Sequence, residues 1–448
     1  MTDHKMTDQA TDNPVDRPGA VDTLCNGKVV AWALYDWGNS AFATVVMAGF
    51  FPLFYKEFWA ANVEAGTSTF QLGVANSFAS AVVVILAPIL GAIADSANSK
   101  KRFLVVFALL GVSMTAALYF VAWGQWFMAL LMFVLATIGF SAANIFYDSL
   151  IVNVAPRNRL DLVSAYGFAL GYLGGGVLFA LCVAMKVWPQ FFGFHSGQDA
   201  VQFGFLLTAI WWLVFSLPLL IRVPEPGHAD GVGLRHAVGK GFSQLKNTFA
   251  RIRHLRVVFL FLLAYWLYID GVDTIVRMAI DYGMALKFDS TQLVTALLIT
   301  QFVGFPAAIA FGFLGQRIGA KQGILIGIAV YVLVTLWAAF MENVSEFYIL
   351  AVTIGLVQGG VQSLSRSFYA RIIPASKSAE YFGFYNMLGK FAAILGPLMM
   401  GVVSFFTGSP RLSLLSILIL FIGGALLLLR VDVAEGERMA QELDRELS

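Results

Sequence analysis

The sequence predicts an all-α membrane protein with twelve transmembrane helices in two parallel six-helix repeats. Three observations lead to this prediction. Of the 448 residues, 59% are hydrophobic and 12% are charged, whereas charged residues make up about 25% of a soluble globular chain. Apolar runs of about 20 residues, the length that crosses a bilayer as a helix, recur along the chain. The two halves of the sequence also resemble each other.

The predicted spans are apolar runs separated by polar connections. They cover residues 30–56, 70–94, 103–122, 125–148, 162–186, 201–221, 256–283, 291–314, 322–341, 346–369, 380–405 and 411–430. The polar linker 222–255 divides them six and six, which predicts an N-terminal half at 29–221 and a C-terminal half at 256–430. The acid-rich residues 1–28 are predicted to form a disordered cytoplasmic leader, and residues 431–448 a cytoplasmic tail.

The distribution of positive charge predicts the orientation. With the N-terminus placed inside, the inner connections carry 22 Lys and Arg residues and the outer connections carry 5. Because Lys and Arg are enriched in cytoplasmic connections, both termini are expected in the cytoplasm. Within the linker, apolar residues such as Leu234, Val238 and Phe242 recur at helical spacing among basic residues. This pattern predicts a basic amphipathic helix on the inner leaflet.

Two matches define the internal repeat. The connection Gly91–Arg102 matches the connection Gly312–Lys321, since Gly, a polar residue four positions later and Lys nine positions later coincide. Four positions of the fourth span and the connection after it match the tenth at a constant offset of 218: Asn144, Asp148, Asn153 and Pro156 align with Gln362, Arg366, Arg371 and Pro374. Opposite charges at the equivalent positions Asp148 and Arg366 predict that these two side chains face each other across a closed inner gate.

These features resemble the major facilitator superfamily, whose members consist of two parallel six-helix repeats. The connection Gly91–Arg102 is similar to the signature between helices two and three of that superfamily, although Ser96 and Asn98 stand where Arg and Gly are usual. The resemblance implies that Asp95 and Arg102 help to close the inner face. Asp95 is expected to face the N-terminus of span eleven, where a carboxylate is favoured. The alternative is a loop carboxylate that only sets the topology.

A narrower resemblance rests on three stretches. They are Leu34–Phe42 in span one, Tyr268–Ile275 in span seven and Gln358–Phe368 in span ten. Together they are similar to the vacuolar-effluxer branch of the superfamily, whose fungal members are autophagy-related vacuolar amino-acid permeases. As a bacterial member, the chain is expected in the inner (plasma) membrane. The resemblance implies a secondary transporter that works by alternating access, without ATP, and exports amino acids or related metabolites.

Ionisable residues in span seven are candidates for ion coupling, because a charge at the bilayer centre costs roughly 3 kcal/mol. Asp270 lies near the middle of the span, and burial favours the neutral form of a carboxyl group, as proton coupling requires. Arg277 is four residues from both Asp273 and Asp281, a spacing that allows salt bridges along one helix face. The alternative for Asp270 is a carboxylate paired with another helix for structural reasons alone.

Polar residues in three other spans are candidates for substrate binding. In span one, Asp36 and Asn39 share one helix face; the alternative for Asp36 is a carboxylate that caps a helix at the inner rim. In span ten, Gln358 and Gln362 form a polar stripe that either joins helices or lines a wet cavity. In span eleven, Lys390 is placed to meet a substrate carboxylate or an Asp in the cavity.

Other classes of function lack their signatures in this sequence. A phosphate-binding loop, a metal-ligand cluster and a nucleophile–base pair do not occur, so we predict that the protein is not an enzyme and carries no cofactor. The expected partners are a small solute, protons and the lipid bilayer, with no nucleic acid, and the expected state is a monomer. Two alternatives stay open: export of an unrelated solute (a sugar, peptide, lipid or drug), and a membrane sensor or scaffold on a transporter fold.

Overall fold

The computed structural model describes residues 19–225 and 255–447, and it confirms the twelve-helix architecture. In the described ranges, twelve helices are long and apolar enough to cross a membrane, and no strand occurs. In chain order, α1 to α12 are Gly27–Trp59, Phe70–Ser96, Lys100–Phe120, Trp126–Val154, Arg157–Val187, Gly197–Arg222, Arg256–Val276, Gln292–Ile318, Ala320–Phe340, Val344–Ile372, Ala375–Thr407 and Arg411–Leu429. The helix of α7 continues to Ala285. A further helix, α13, spans Val433–Leu447.

The chain becomes helical earlier than the sequence predicts. Ala20–Leu24 forms a short helix in which the Asp22 carboxylate accepts the backbone N–H of Gly19. Asn26 then accepts the backbone N–H of Lys28 and starts α1. Because of these local caps, the end of the predicted leader is helical. Residues 1–18, and the predicted amphipathic helix of the linker between 226 and 254, lie outside the described residues.

Helix α1 changes its geometry halfway. Gly27–Ala41 is α-helical, whereas Phe42–Phe50 and Tyr55–Trp59 are π-helical, separated by one α-helical turn with Pro52. A π-helical segment accommodates extra residues per turn and often occurs near functional sites. The candidate residues of span one therefore lie in the regular part of α1.

The two halves pack in the same way, as the repeat predicts. In the first half α1 packs against α5 and α6, and α3 packs against α4 and α6; in the second half α7 packs against α11 and α12, and α9 against α10 and α12. Lys101 of α3 donates to the carbonyl of Val223 after α6 at 2.9 Å. Lys321, which like Lys101 is the second residue of its helix, donates from α9 to the carbonyls of Leu429 and Val431 at 2.9 and 2.8 Å. A cation at a helix C-terminus is favourable, so these lysines fasten the last helix of each half.

The halves meet along two seams, α2 with α11 and α5 with α8. The even-numbered helices end, and the odd-numbered helices begin, at one end of the bundle, which carries Lys100, Arg157 and Arg371. We call it the basic end. Helix α13 lies across it: the carboxylate of Asp444 accepts the first two backbone N–H groups of α11 and lies 3.4 Å from the Arg157 guanidinium of the other half.

Candidate functional site

A cluster of charged residues joins the two halves close to the basic end. The Arg366 guanidinium of α10 lies 3.0 Å from Asp148 of α4 and 3.7 Å from Asp36 of α1. It also donates to the side-chain and backbone oxygens of Ser164 in α5, each at 2.9 Å. Arg366 is 2% exposed, so four hydrogen-bonding or ionic contacts compensate for the loss of water around the charge.

Three aromatic rings enclose the same guanidinium. Its central carbon lies 4.3 Å from the ring centre of Phe168, 4.8 Å from Trp32 and 5.4 Å from Tyr147. Such distances allow cation–π attraction, which is stronger in a dry environment. The six residues of α1, α4 and α5 that surround the group form what we call the guanidinium pocket: Trp32, Asp36, Tyr147, Asp148, Ser164 and Phe168.

A second contact joins the halves where α2 meets α11. The carboxylate of Asp95 accepts the backbone N–H groups of Ala379 and Glu380, at 3.3 and 2.7 Å, in the first turn of α11. A carboxylate is favoured at a helix N-terminus, where N–H groups lack intrahelical partners. Lys100 lies 3.1 Å from Asp95 and donates to the hydroxyl of Ser378 at 2.7 Å. We call this arrangement the Asp95 contact.

Arg102, which the resemblance implies for closure of the inner face, does not take part in this contact. Arg102 is exposed, whereas Lys100 is buried beside Asp95. The reason lies in the turn: Asn98 has a φ of 47°, a left-handed conformation that Asn tolerates. The turn brings the first residue of α3, not the third, back over the end of α2.

The equivalent position of the other seam holds an amide in place of a carboxylate. Gln316 of α8, which the repeat aligns with Asp95, accepts a hydrogen bond from Arg159 at 3.1 Å. One turn away, Asp161 of α5 accepts from Arg371 at 2.7 Å and from Ser367 at 2.6 Å. The basic end is therefore closed on both sides, by the buried Asp95–Lys100 pair at one seam and by the Arg159–Gln316 and Asp161–Arg371 contacts beside the other.

Asp270 lies apart from the guanidinium pocket, within the C-terminal half. Its Oδ1 accepts the backbone N–H of Gly396 in α11 at 2.9 Å and the hydroxyl of Thr274 at 3.2 Å. Its Oδ2 is buried and has no hydrogen-bond partner among the described atoms. Asp273 is half-buried three residues later. The predicted salt bridges of Arg277 cannot be followed, because the side chains of Arg277 and Asp281 lie outside the described part.

The remaining predicted residues are distributed between the halves. Asn39 donates to Asn144 of α4 at 2.6 Å, so it joins two helices of the first half. Gln362 accepts from Tyr172 of α5 at 3.1 Å, across the boundary between the halves. Gln358 has a buried oxygen without a partner among the described atoms. Lys390 is half-buried on α11.

Sequence reasoning missed the aromatic walls of the pocket. A weak signal exists in Gly167 of α5, where a β-carbon would lie 2.8 Å from Trp32, 2.9 Å from the Tyr147 hydroxyl and 3.1 Å from Arg366. The glycine therefore keeps the space that these groups fill. Gly304 and Gly359 likewise leave space for a ring, because Tyr172 of the other half packs against both glycines.

Known proteins resemble this chain over nearly its whole length. The family described as "Vacuole effluxer Atg22 like" matches residues 26–441. The MFS-type transporter YxiO of Bacillus subtilis (strain 168) is 40% identical over 92% of this chain and 96% of its own length. Autophagy-related protein 22-1 of Aspergillus niger is 28% identical over 64% of this chain and 49% of its own length.

Solved structures share the fold. The human organic anion transporter MFSD10 (TETRAN) superposes with a TM-score of 0.69 at 15% identity. The match covers 92% of this chain and 100% of the MFSD10 chain. The proton:xylose symporter XylE gives a TM-score of 0.65 at 13% identity, covering 94% of this chain and 98% of its own. These relatives and neighbours are transporters and not enzymes.

Proposed function

The chain belongs to the Atg22-like family of vacuole effluxers, and from that premise we propose that it exports amino acids or related metabolites by proton-coupled alternating access. The family, the fold and the relatives make it a multi-pass transporter of the major facilitator type in a bacterial plasma membrane. The solute class, the direction and the coupling ion are the parts that we propose. We also propose that it works as a monomer with its basic end in the cytoplasm.

The observation that carries the proposal is the unequal contact of the halves at the two ends. At the basic end, the Arg366 cluster and the Asp95 contact join them through buried charges. Toward the other end, a β-carbon at Gly73 of α2 or at Gly401 of α11 would meet no atom within 4 Å. Residues from Phe70 to Ala81, all on α2, border a shallow surface recess of about 550 Å³. A molecule whose halves are joined at the basic end corresponds to one of the two states that alternating access requires.

Proton coupling is supported by the surroundings of Asp270. The side chain is 0% exposed, and its Oδ2 lacks a donor among the described atoms. Burying an uncompensated carboxylate is costly, and taking up a proton removes that cost. Because Asp270 binds the backbone of α11 at Gly396, a change in its charge would act directly on the helix that forms the α2–α11 seam.

Solute-driven proton movement in proteoliposomes tests this function. Wild type, Asp270→Asn and the control Asp199→Asn, which alters an exposed helix cap of α6, are reconstituted with a pH-sensitive dye in the lumen. A panel of amino acids, dipeptides and sugars is applied to each. We expect an amino acid to move protons in wild type and the control, and Asp270→Asn to keep exchange while it loses uphill transport.

The contrary results separate the parts of the proposal. Movement of a sugar or a dipeptide alone would show that the amino-acid assignment is wrong. Solute movement without proton movement, or uphill transport that survives in Asp270→Asn, would remove the coupling role. Failure of every solute to move would count against transport of these classes.

A further inference from the structure

A cationic group of one half occupies a pocket built by the other half. The walls of the guanidinium pocket come from α1, α4 and α5 of the N-terminal half, whereas Arg366 belongs to α10 of the C-terminal half. Among the described residues, two further groups of the C-terminal half reach the pocket. Asn386 of α11 donates to the second oxygen of Asp148 at 3.2 Å, and the Ser363 carbonyl of α10 accepts the hydroxyl of Ser164 at 2.7 Å. When the halves part at the basic end, Arg366 leaves with its own half.

The composition of the pocket is that of a receptor for organic cations. Asp148 and the two oxygens of Ser164 accept hydrogen bonds from the guanidinium, and the Asp36 carboxylate lies 3.7 Å from it. Phe168 and Trp32 cover it with their rings. Carboxylates favour charge-assisted bonds to ammonium or guanidinium groups, and aromatic faces attract the same cations.

The walls are held together without help from Arg366. The indole N–H of Trp32 donates to the backbone carbonyl of Tyr147 at 3.0 Å, and the two rings stack with centres 4.5 Å apart. The hydroxyl of Tyr147 donates to Asp36 at 3.1 Å, and Ser40 donates to the other oxygen of that carboxylate at 3.2 Å. These bonds lie within the N-terminal half, so the pocket keeps its shape when the guanidinium withdraws.

We propose that this pocket binds the ammonium or guanidinium group of the transported solute when the basic end is open, and that Arg366 takes the place of the solute when it is closed. The inference rests on the transport cycle proposed above and assigns its solute class, a small organic cation or a zwitterion with a cationic amino group. Opening leaves Asp36 and Asp148 without their cation, and unpaired charges in such a site are costly. A cationic solute restores the balance, so binding and closure compete for one site.

Chemical complementation tests whether the pocket accepts a free cation. Arg366→Ala removes the side chain beyond Cβ, and ethylguanidinium chloride supplies the atoms that are lost. We expect ethylguanidinium to restore most of the lost Tm of purified Arg366→Ala in a saturable manner. The neutral isostere ethylurea should have no such effect. Arg371→Ala is the matched control, since Arg371 lies on the same helix and pairs with Asp161 but lies outside the pocket.

Direct binding of radiolabelled agmatine tests the unmodified protein. We expect wild type to bind it saturably, Asp36→Asn to lose binding, and Asp199→Asn to bind as wild type does. Asp95→Asn weakens the closed state and is expected to raise the affinity about fivefold or more. This rise distinguishes a pocket that Arg366 must vacate from an unrelated surface site, whose affinity would not change.

The two measurements decide the inference together. Equal stabilisation of Arg366→Ala by ethylguanidinium and ethylurea, or agmatine binding that survives in Asp36→Asn, would overturn it. If Arg366→Ala yields no folded protein, the agmatine result alone decides. Neither measurement involves transport. The pocket can therefore bind cations even if no solute moves in proteoliposomes, and the latter result would contradict only the proposed function.

Discussion

The two seams between the halves are equivalent in the repeat, but they differ in how far they are closed. Along the α5–α8 seam, close contacts follow one another from the basic end to beyond the middle of the helices. Gly312 approaches Ala165 near the basic end, Gly304 faces the ring of Tyr172 further along, and Gly176 faces Gln301 beyond that. Small residues permit such close approach of helices in a membrane.

The α2–α11 seam is closed at the basic end. There, a β-carbon at Gly91 would strike the backbone of Ala379, and one at Gly383 would strike the backbone of Ala87. Toward the other end, Gly73 and Gly401 face open space. The α2–α11 seam is therefore tightest at the basic end, whereas the close contacts of the α5–α8 seam continue past the middle of the helices.

The chemistry of the seams differs in the same sense. The α2–α11 seam carries the buried pair of Asp95 and Lys100, whereas the α5–α8 seam carries the amide of Gln316, bonded to Arg159, at the equivalent position. A charge at a helix N-terminus forms a strong but short-range contact, which is suited to a junction that must form and break. Four substitutions sharpen or break this comparison.

The largest effect is expected from Arg366→Ala, because this variant loses the contacts that join α10 to the N-terminal half between the two seams. Removing one partner of a buried ion pair costs about 3–5 kcal/mol, and here two carboxylates lose their cation. We expect a large loss of Tm and an open basic end. The double variant Asp148→Arg/Arg366→Asp, in which the charges are exchanged, should have a higher Tm than Asp148→Arg or Arg366→Asp alone. A Tm no higher than that of the single variants would contradict a direct pairing of these two residues.

Asp95→Asn should weaken only the α2–α11 seam, by about 1.5–3 kcal/mol, because the hydrogen bonds to the helix N-terminus lose their charge. The measurement is maleimide labelling of Ser149→Cys, a buried position at the basic end, in a background of Cys25→Ser and Cys182→Ala. We expect faster labelling in the Asp95→Asn variant. Unchanged labelling would mean that the Asp95 contact does not hold the basic end closed.

Gly91→Ala should oppose closure by about 1–3 kcal/mol, as overpacking does, because the added methyl group meets the backbone of α11. Gly73→Ala is its matched control on the same helix, with open space around it. The same labelling assay should respond to Gly91→Ala and not to Gly73→Ala. Equal responses would show that helix propensity, not the seam, causes the effect.

Gln316→Ala should have the smallest effect, about 0.5–1.5 kcal/mol, because its one hydrogen bond comes from the half-buried guanidinium of Arg159, which water can still solvate. The close contacts at Gly312, Gly304 and Gly176 should hold when this bond is lost. We therefore expect nearly unchanged labelling of Ser149→Cys. A response as large as that of Asp95→Asn would contradict the asymmetry of the seams.

The fold could be predicted from the sequence because the bilayer thickness sets the length of a spanning helix, and an apolar run of that length can be recognised along the chain. Each of the twelve predicted spans overlaps an observed helix. The proximity of Asp148 and Arg366 could also be predicted, since a constant offset between repeats places equivalent residues symmetrically about the axis. The structure finds the two groups 3.0 Å apart, and their role in gating stays a prediction.

The walls of the guanidinium pocket could not be predicted in this way. Trp32 and Phe168 meet Arg366 through three-dimensional packing of α1, α5 and α10, and the chain contains 40 Phe residues with similar apolar neighbours. The choice of Lys100 over Arg102 depends on one left-handed residue, Asn98. Such details depend on the direction of a side chain, and spacing along the chain does not specify it.

The lysine caps of α6 and α12 have a consequence for how the polypeptide can be divided. Lys101 and Lys321 each tie the third helix of a half to its last one, so each bundle of six is fastened by bonds of its own. The covalent link between the bundles is then dispensable in principle. Two polypeptides produced by a cut between 226 and 254 should reassemble in the membrane through the seams alone, and co-purification of one tagged fragment with the other would measure it.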